Sequence, residues 1–291
     1  MDAQWMVDAI VDGSIYCLIA VGFGLLYRTV HYFDFSFSSL MCIAAYTALA
    51  LAKRTGAHCG IAISAGLLTA LVVALAFEWL LFRRLREQNV SPMVPLLVSL
   101  GLFLVIQNCI AAIFGDGSMF PQMSTVGEGV PVLGSRIGIV GCWSVLLAVV
   151  GSLVLWFLIN RTDLGRCIRA IGSDRTLAKV VGVQESRTLQ IVVMIASLFT
   201  SAAGLLIAFD TGVTPRSGFR PFLMAVVVVV LARTFSIAKL ATASLSVAAL
   251  QHIIGWTLGS LWQDSIVFAL FVLLVVLRSG NNRQWASWVE A

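Results

Sequence analysis

The stretch "RTDLGRCIRAIGSDRTLAKVVGVQESR", Arg161 to Arg187, packs six arginines or lysines into 27 residues of a chain otherwise built for lipid. Two short helices are legible in it. Thr162 or Asp163 can cap the first, where Leu164, Ile168 and Ile171 recur on one face and Arg166 and Arg169 project from the other. Ser173 or Asp174 can cap the second, which carries Leu177, Ala178, Val180 and Val181 and meets Gly182 as its C′ residue. Such a module belongs in water, whereas its flanks, 137–159 and 188–210, belong in a membrane.

The whole chain agrees. Of 291 residues, 59% are hydrophobic and only 11% charged, against about 25% charged in a soluble domain. No soluble fold of this size hides that much apolar surface, so the chain reads as an all-α polytopic membrane protein of one domain, 1–291. Apolar runs at 6–27, 36–52, 60–82, 92–114, 137–159, 188–210, 219–233, 240–258 and 262–277 predict about eight or nine transmembrane or re-entrant helices. The run at 219–233 is short enough to be re-entrant, which lipid tolerates only where protein surrounds it.

Orientation follows from Lys and Arg. With the N-terminus outside, Arg28, Arg83, Arg84, Arg86, the six of 161–187, Arg233, Lys239, Arg278 and Arg283 fall inside; Lys53, Arg54, Arg136, Arg216 and Arg220 fall outside. The module and the C-terminus are then cytoplasmic, and 115–136 is an external, turn-rich loop. The net charge of +5 marks the basic face of a membrane protein, not a nucleic-acid partner. The acidic start "MDAQWMVDAIVDG" does not read as a cleavable signal peptide. Cys17, Cys42, Cys59, Cys109, Cys142 and Cys167 form no C-x-x-C pair and read as small buried hydrophobes.

No metal-ligand run and no clustered Ser/His/Asp constellation supports catalysis, so the chain does not read as an enzyme. An intramembrane centre from His31, Asp34 and His252 would require distant segments to meet. The chain also lacks G-x-x-x-x-G-K-[ST], the loop that cradles nucleotide phosphates. If transport is driven by ATP, the nucleotide sits on another subunit. The module at 161–187 is then either that subunit's mechanical contact, with small Ala178 and Gly182 suited to a partner's groove, or an ordinary basic loop that only sets topology.

Four blocks resemble the membrane permease subunits of branched-chain amino-acid type ABC importers, a family that includes urea and short-amide relatives. They are "GSIYCLIAVGFGLLYRTVHYFDFSFSSLMCIAAYTA" (13–48), "VPLLVSLGLFLVIQNCIAAIFG" (94–115), "TDLGRCIRAIGSDRTLAKVVGV" (162–183) and "GFRPFLMAVVVVVL" (218–231). In the third, Leu164, Gly165, Arg166, Arg169, Ala170, Asp174, Ala178 and Gly182 match the family's coupling segment in spacing. The resemblance implies a permease of the bacterial inner membrane that moves small polar solutes, such as amino acids, urea or short amides, by alternating access. It implies cytoplasmic ATPase subunits, a second permease chain (identical or homologous) and a periplasmic or surface solute-binding protein. No cofactor is expected on this chain; ATP and Mg belong to the partner ATPase. The alternative is a stand-alone channel or secondary carrier. Two departures bear on geometry. Asp34-Phe35-Ser36-Phe37-Ser38 replaces the family's Asn-Phe-Ala-His-Gly, and Ala232, Arg233, Phe235 and Lys239 stand where the family's later turn has glycines.

Polar residues inside apolar runs are the candidates for the solute's path. Asp34, with Ser36 and Ser38, lies at a helix break where it can bind an ammonium or amide, or else is hydrated at the interface or paired with Arg28 or His31. Gln107 and Asn108 line the path or serve as interhelical hydrogen-bonding groups. His252, beside Gln251, is a path residue or a packing group. Glu78 reads as a local ion pair with Arg83.

Overall fold

A helix that is apolar on every face belongs in the middle of a bundle. In the computed structural model, which describes residues 4–55, 58–88, 90–120, 129–132, 135–232, 235–259 and 261–281, α1 (Gln4–Val30) takes that place. Around it pack α6 (Ile139–Arg161), α9 (Glu185–Thr211), α10 (Phe219–Ala232) and α11 (Ile237–Leu258). A second layer sets α2 (Ser36–Thr55) against α9, α3 (Cys59–Phe77) and α5 (Met93–Phe114), and α12 (Gln263–Asn281) against α11. A π-helical turn, Glu78–Phe82, carries α3 into α4 (Arg83–Glu87). Among the described residues, seven helices are long and apolar enough to cross a membrane, and α10 and α12 are shorter apolar helices.

Burial divides helices of similar hydropathy into two groups. α1, α2 and α9 are mostly buried, whereas α3, α5 and α6 turn side chains such as Leu68, Leu104 and Leu153 outward. Lipid tails are as apolar as leucine, so these outer faces lose nothing by meeting them. Trp79, Trp143, Trp156, Trp256 and Trp262 are exposed on the outer surface. The cysteines are all free, and only Cys17 and Cys42 are buried; Cys109 and Cys142 point outward, which corrects the expectation of uniformly buried thiols.

The two ends of the bundle differ. At one, α7 (Asp163–Ser173) and α8 (Arg175–Val180) cover the last turns of α1 and α6. At the other, the segment read as a turn-rich loop holds an antiparallel hairpin, β1 (Gly129–Val132) with β2 (Ser135–Gly138), in register with Val130 opposite Ile137.

The short run at 219–233 is half of a broken span. Val213 exchanges backbone hydrogen bonds of 2.9 Å with Met119 near the hairpin end. The chain then enters the bundle without regular structure, through buried Pro215 and Gly218. It reaches Phe219, whose ring stacks 5.0 Å from Phe103 at the middle of α5. Irregular backbone at this depth needs protein around it, and α2 supplies part of that wall: Cys42 Sγ donates to the carbonyl of Pro215 at 3.5 Å. From there α10 packs along α1, with Phe222 edge-on to Phe23 at 5.1 Å. At only 14 residues, or about 21 Å, α10 is too short to cross alone. Phe235, one of the bulky residues at the family's glycine positions, packs against Gly24 and lies 5.8 Å beneath the Arg28 guanidinium. Arg233 lies outside the described residues.

Candidate functional site

The module at 161–187 is capped as its sequence requires. The Thr162 hydroxyl accepts from Gly165 N, and the Asp174 carboxylate accepts from the amides of Thr176 and Leu177 at 2.8 and 3.0 Å. α8 ends in a Schellman motif. Gly182 adopts φ +87°, Gly182 N donates to Lys179 O, and Val183 N donates to Ala178 O, both at 3.0 Å. Gly165 is required by close approach instead, because a Cβ there would lie 2.0 Å from the carbonyl oxygen of Ile159.

Of the small edge read as suited to a partner's groove, Ala178 is buried and Gly182 is exposed. Ile168 and Ile171 are buried against the bundle, Leu164 is half-buried, and Ala178 is buried, so none of them offers an edge to a partner. The apolar surface that water meets is Leu177, Val180 and Val181, the last two 80% and 81% exposed. The physical reason is that a short helix lying on a bundle end spends its regular apolar stripe on its own chain. Any second apolar patch is then left outside.

Arginines fasten the module to the spans. Arg169 does not project outward; it donates to the carbonyl of Ile159 near the end of α6. Arg175 donates to the carbonyls of Thr29 and Val30 at 3.2 and 3.1 Å, satisfying the end of α1. Lys179 pairs with Glu185 of α9 at 2.9 Å. Arg166 is exposed and pairs with Asp163, and Ala170 is half-buried. Arg175 and Glu185 went unnoticed in the sequence, where one basic residue among six carries no mark.

The candidate path residues fall into three separate places. The first is the return from α1 to α2. His31 leaves α1 with φ +60°, and Phe33 turns back to stack on Tyr27 at 4.7 Å. Burial, with Arg175 and Arg28 nearby, holds the His31 imidazole below its usual pKa. Asp34 follows, only 3% exposed, so it is neither hydrated at the interface nor paired with Arg28 or His31. Its Oδ1 accepts from Ser36 N at 2.9 Å and from Ser36 Oγ at 2.5 Å, opening α2. Burial pushes its carboxyl up to about 7; the Ser36 hydrogen bonds pull the other way, and Glu78 adds to the rise. Asp34 and Ser36 line a small cavity with Glu78, which the π-helical turn directs inward. Glu78 pairs with Arg86, not with Arg83 as its spacing suggested; Arg83 pairs with Glu87 at 2.9 Å. Arg86 also donates to the Tyr32 hydroxyl at 3.3 Å. Ser38 is buried and its hydroxyl has no partner.

The second place is α5. Asn108 is exposed and donates to its own helix at Leu104 O, 2.7 Å away, while Gln107 is half-buried beside it. The third lies between α1, α10, α11 and α12, toward the hairpin end. His252 Nε2 meets Asp12 Oδ2 at 2.8 Å. Tyr16 donates to Gln251 Oε1 at 2.8 Å, and Gln251 Nε2 donates to Asp264 at 2.5 Å. Asp264 receives Arg220, with Nη2 2.9 Å from Oδ1 and Nε 2.5 Å from Oδ2. Arg220 therefore sits in the first turn of α10 paired with α12, and is not the loop charge its sequence position suggested. His31 and His252 stand at different ends, so the centre imagined from His31, Asp34 and His252 does not assemble. Among the described residues no group of His, Cys, Asp or Glu could hold a metal ion.

Comparison with known proteins adds the lineage. The family model described as "Branched-chain amino acid transport system / permease component" matches residues 5–276. The permease protein LivH of a high-affinity branched-chain amino acid transport system in Escherichia coli K12 is 24% identical over 94% of this chain and 92% of its own length. Its counterpart BraD in Pseudomonas aeruginosa is 26% identical over 94% and 93%. A galactose/methyl galactoside import permease of Haemophilus influenzae, MglC, is 36% identical over a shorter part, 25% of this chain and 22% of its own. These matches place the chain with ABC-importer permeases and not with free-standing channels or enzymes. The chain belongs to the family of permease components of branched-chain amino acid transport systems, the multi-pass membrane subunits of ABC importers.

Proposed function

We propose that this chain carries branched-chain amino acids inward across the bacterial inner membrane. Its N-terminus and hairpin face outward and α7–α8 face the cytoplasm. A soluble ATPase subunit docks on Leu177, Val180 and Val181, a second permease chain pairs with this one, and a binding protein delivers solute at the hairpin end. ATP and Mg act on the ATPase. Closure of the ATPase pair pushes α7–α8, and Arg175, Arg169 and the Lys179–Glu185 pair pass the displacement to α1, α6 and α9.

The observation that carries this reading is the module itself. It presents an apolar patch to water at one end of a lipid-facing bundle and is bonded through side chains to three spans. A topogenic loop needs neither feature. Affinity purification from the native host, followed by reconstitution with radiolabelled leucine, tests it. An ATPase with a phosphate-binding loop is expected to co-purify, and uptake is expected to require ATP on the α7–α8 side. Uptake without ATP, or purification without an ATPase, refutes it.

A further inference from the structure

Charged side chains inside the hydrocarbon region do not face lipid. Arg220 directly follows Phe219, which stacks on Phe103 midway along α5. Asp264 is tied through Gln251 to Tyr16, roughly 18 Å along α1 from Gln4 at 1.5 Å per residue. Both therefore lie within the ~30 Å apolar layer. Yet in this chain the Arg220 and Asp264 side chains are 54% and 31% exposed, and Asp12 and His252, nearer the hairpin end, are 43% and 22% exposed. A face with a half-open charge pair and a half-open histidine–carboxylate contact is turned to water or to protein.

We propose that Arg220 and Asp264 form an exchangeable charge pair that receives the solute's zwitterionic head. The guanidinium takes the α-carboxylate in a two-point bond, and the Asp264 carboxylate takes the α-ammonium. The inference rests on the importer reading above and assigns the site within it. At rest the two side chains neutralise each other, as a charge pair at this depth must. A zwitterion exchanges that contact for two of the same kind and brings no net charge. A lone carboxylate, a lone amine or a neutral amide satisfies only half the pair or neither half. The carboxylate is already oriented. Buried Gln251 donates to Asp264 Oδ1, and the Tyr16 hydroxyl holds the Gln251 carbonyl so that its amide points there.

The test uses the complete complex, with its ATPase, second permease chain and binding protein, in proteoliposomes supplied with labelled leucine. The double variant Arg220→Gln/Asp264→Asn removes both charges together and leaves neither unpaired. It is expected to assemble and melt like the unaltered complex while losing at least about tenfold in leucine uptake. Arg220→Lys keeps the charge but loses the fork, and is expected to raise the KM for leucine several-fold with little change in maximal rate. Full uptake by the double variant, or an unchanged KM in Arg220→Lys, overturns the site. Failure of the double variant to assemble also overturns it, by making the pair a contact between subunits. If the unaltered complex shows no ATP-dependent leucine uptake, the importer reading for branched-chain amino acids fails, and the site falls with it.

Discussion

Arg175 reaches back 145 residues to bond the last carbonyl of α1, at Val30, 3.1 Å away. A residue of the water-facing module thereby closes the end of the most buried helix. Hydrogen bonds from charged donors contribute roughly 1.5–3 kcal/mol, enough to make module and helix move together. Arg175→Ala is expected to leave the ATPase bound but to lower the number of leucines moved per ATP hydrolysed. Arg175→Lys, which can still donate, should recover part of the ratio. Parallel assays of uptake and phosphate release read it directly.

Val180 and Val181 are exposed and Ala178 is buried, so neighbouring substitutions should fail in different ways. Val180→Asp changes surface chemistry at a folding cost within about 0.5 kcal/mol, and should yield a stable permease that no longer captures its ATPase. Ala178→Glu drives a charge into the chain's own packing, at a cost of several kcal/mol, and should deplete folded protein. Size-exclusion yield and ATPase pull-down separate the two outcomes.

The Glu78–Arg86 pair is buried and the Arg83–Glu87 pair is exposed. Removing Arg86 strands a buried carboxylate beside Asp34, a loss of about 3–5 kcal/mol. Removing Arg83 costs roughly 0–1 kcal/mol. Melting of the purified permease should therefore drop steeply in Arg86→Ala and barely in Arg83→Ala.

Asp34 is held at about 7, largely by burial. An unfolded aspartate titrates near 3.9, so the folded chain retains a proton that the unfolded chain releases. The stability this contributes is complete below the unfolded pKa and is lost as pH rises through about 7. The melting temperature is expected to fall between pH 5.5 and pH 8, with a shallower fall in Asp34→Asn. Asparagine keeps an oxygen for Ser36, so that variant should transport normally, whereas Asp34→Ala loses the cap, worth about 1 kcal/mol.

The proposed orientation sets α7–α8 in the cytoplasm, on the side that carries the excess of Lys and Arg. Single cysteines at Ser173 and Asp116, in a cysteine-depleted background, are expected to label from opposite sides of the membrane. Labelling of Ser173 alone from outside reverses the topology, and labelling of both from outside overturns it. A marker at Thr125, in the same stretch read as external, falls outside the described residues.

The nine apolar runs, the capped module and its stops at Thr162, Asp174 and Gly182 were readable because their physics is local. A span needs about twenty apolar residues, and a cap needs one side chain near three free amides. The path was less readable. Asp34, Gln107 and His252 look alike as polar residues in apolar runs, yet one opens a helix, one sits on a peripheral span and one pairs with Asp12. Asp264 was overlooked because an acid at the start of an apolar run resembles an ordinary boundary.

Composition and periodicity by themselves determined that this chain lives in a membrane, how many times it meets it, and that one basic, amphipathic segment stays in water. Those properties are sums over neighbouring residues. The tertiary structure decided which face of that segment is free, that the run at 219–233 completes its crossing with irregular backbone, and which charges meet. Leu177, Val180 and Val181 are exposed only because Ile168, Ile171 and Ala178 found the bundle first. Arg220 and Asp264, 44 residues apart, become a pair only when α10 and α12 pack beside α11. Packing sets burial, and burial sets what a charge inside a membrane can do.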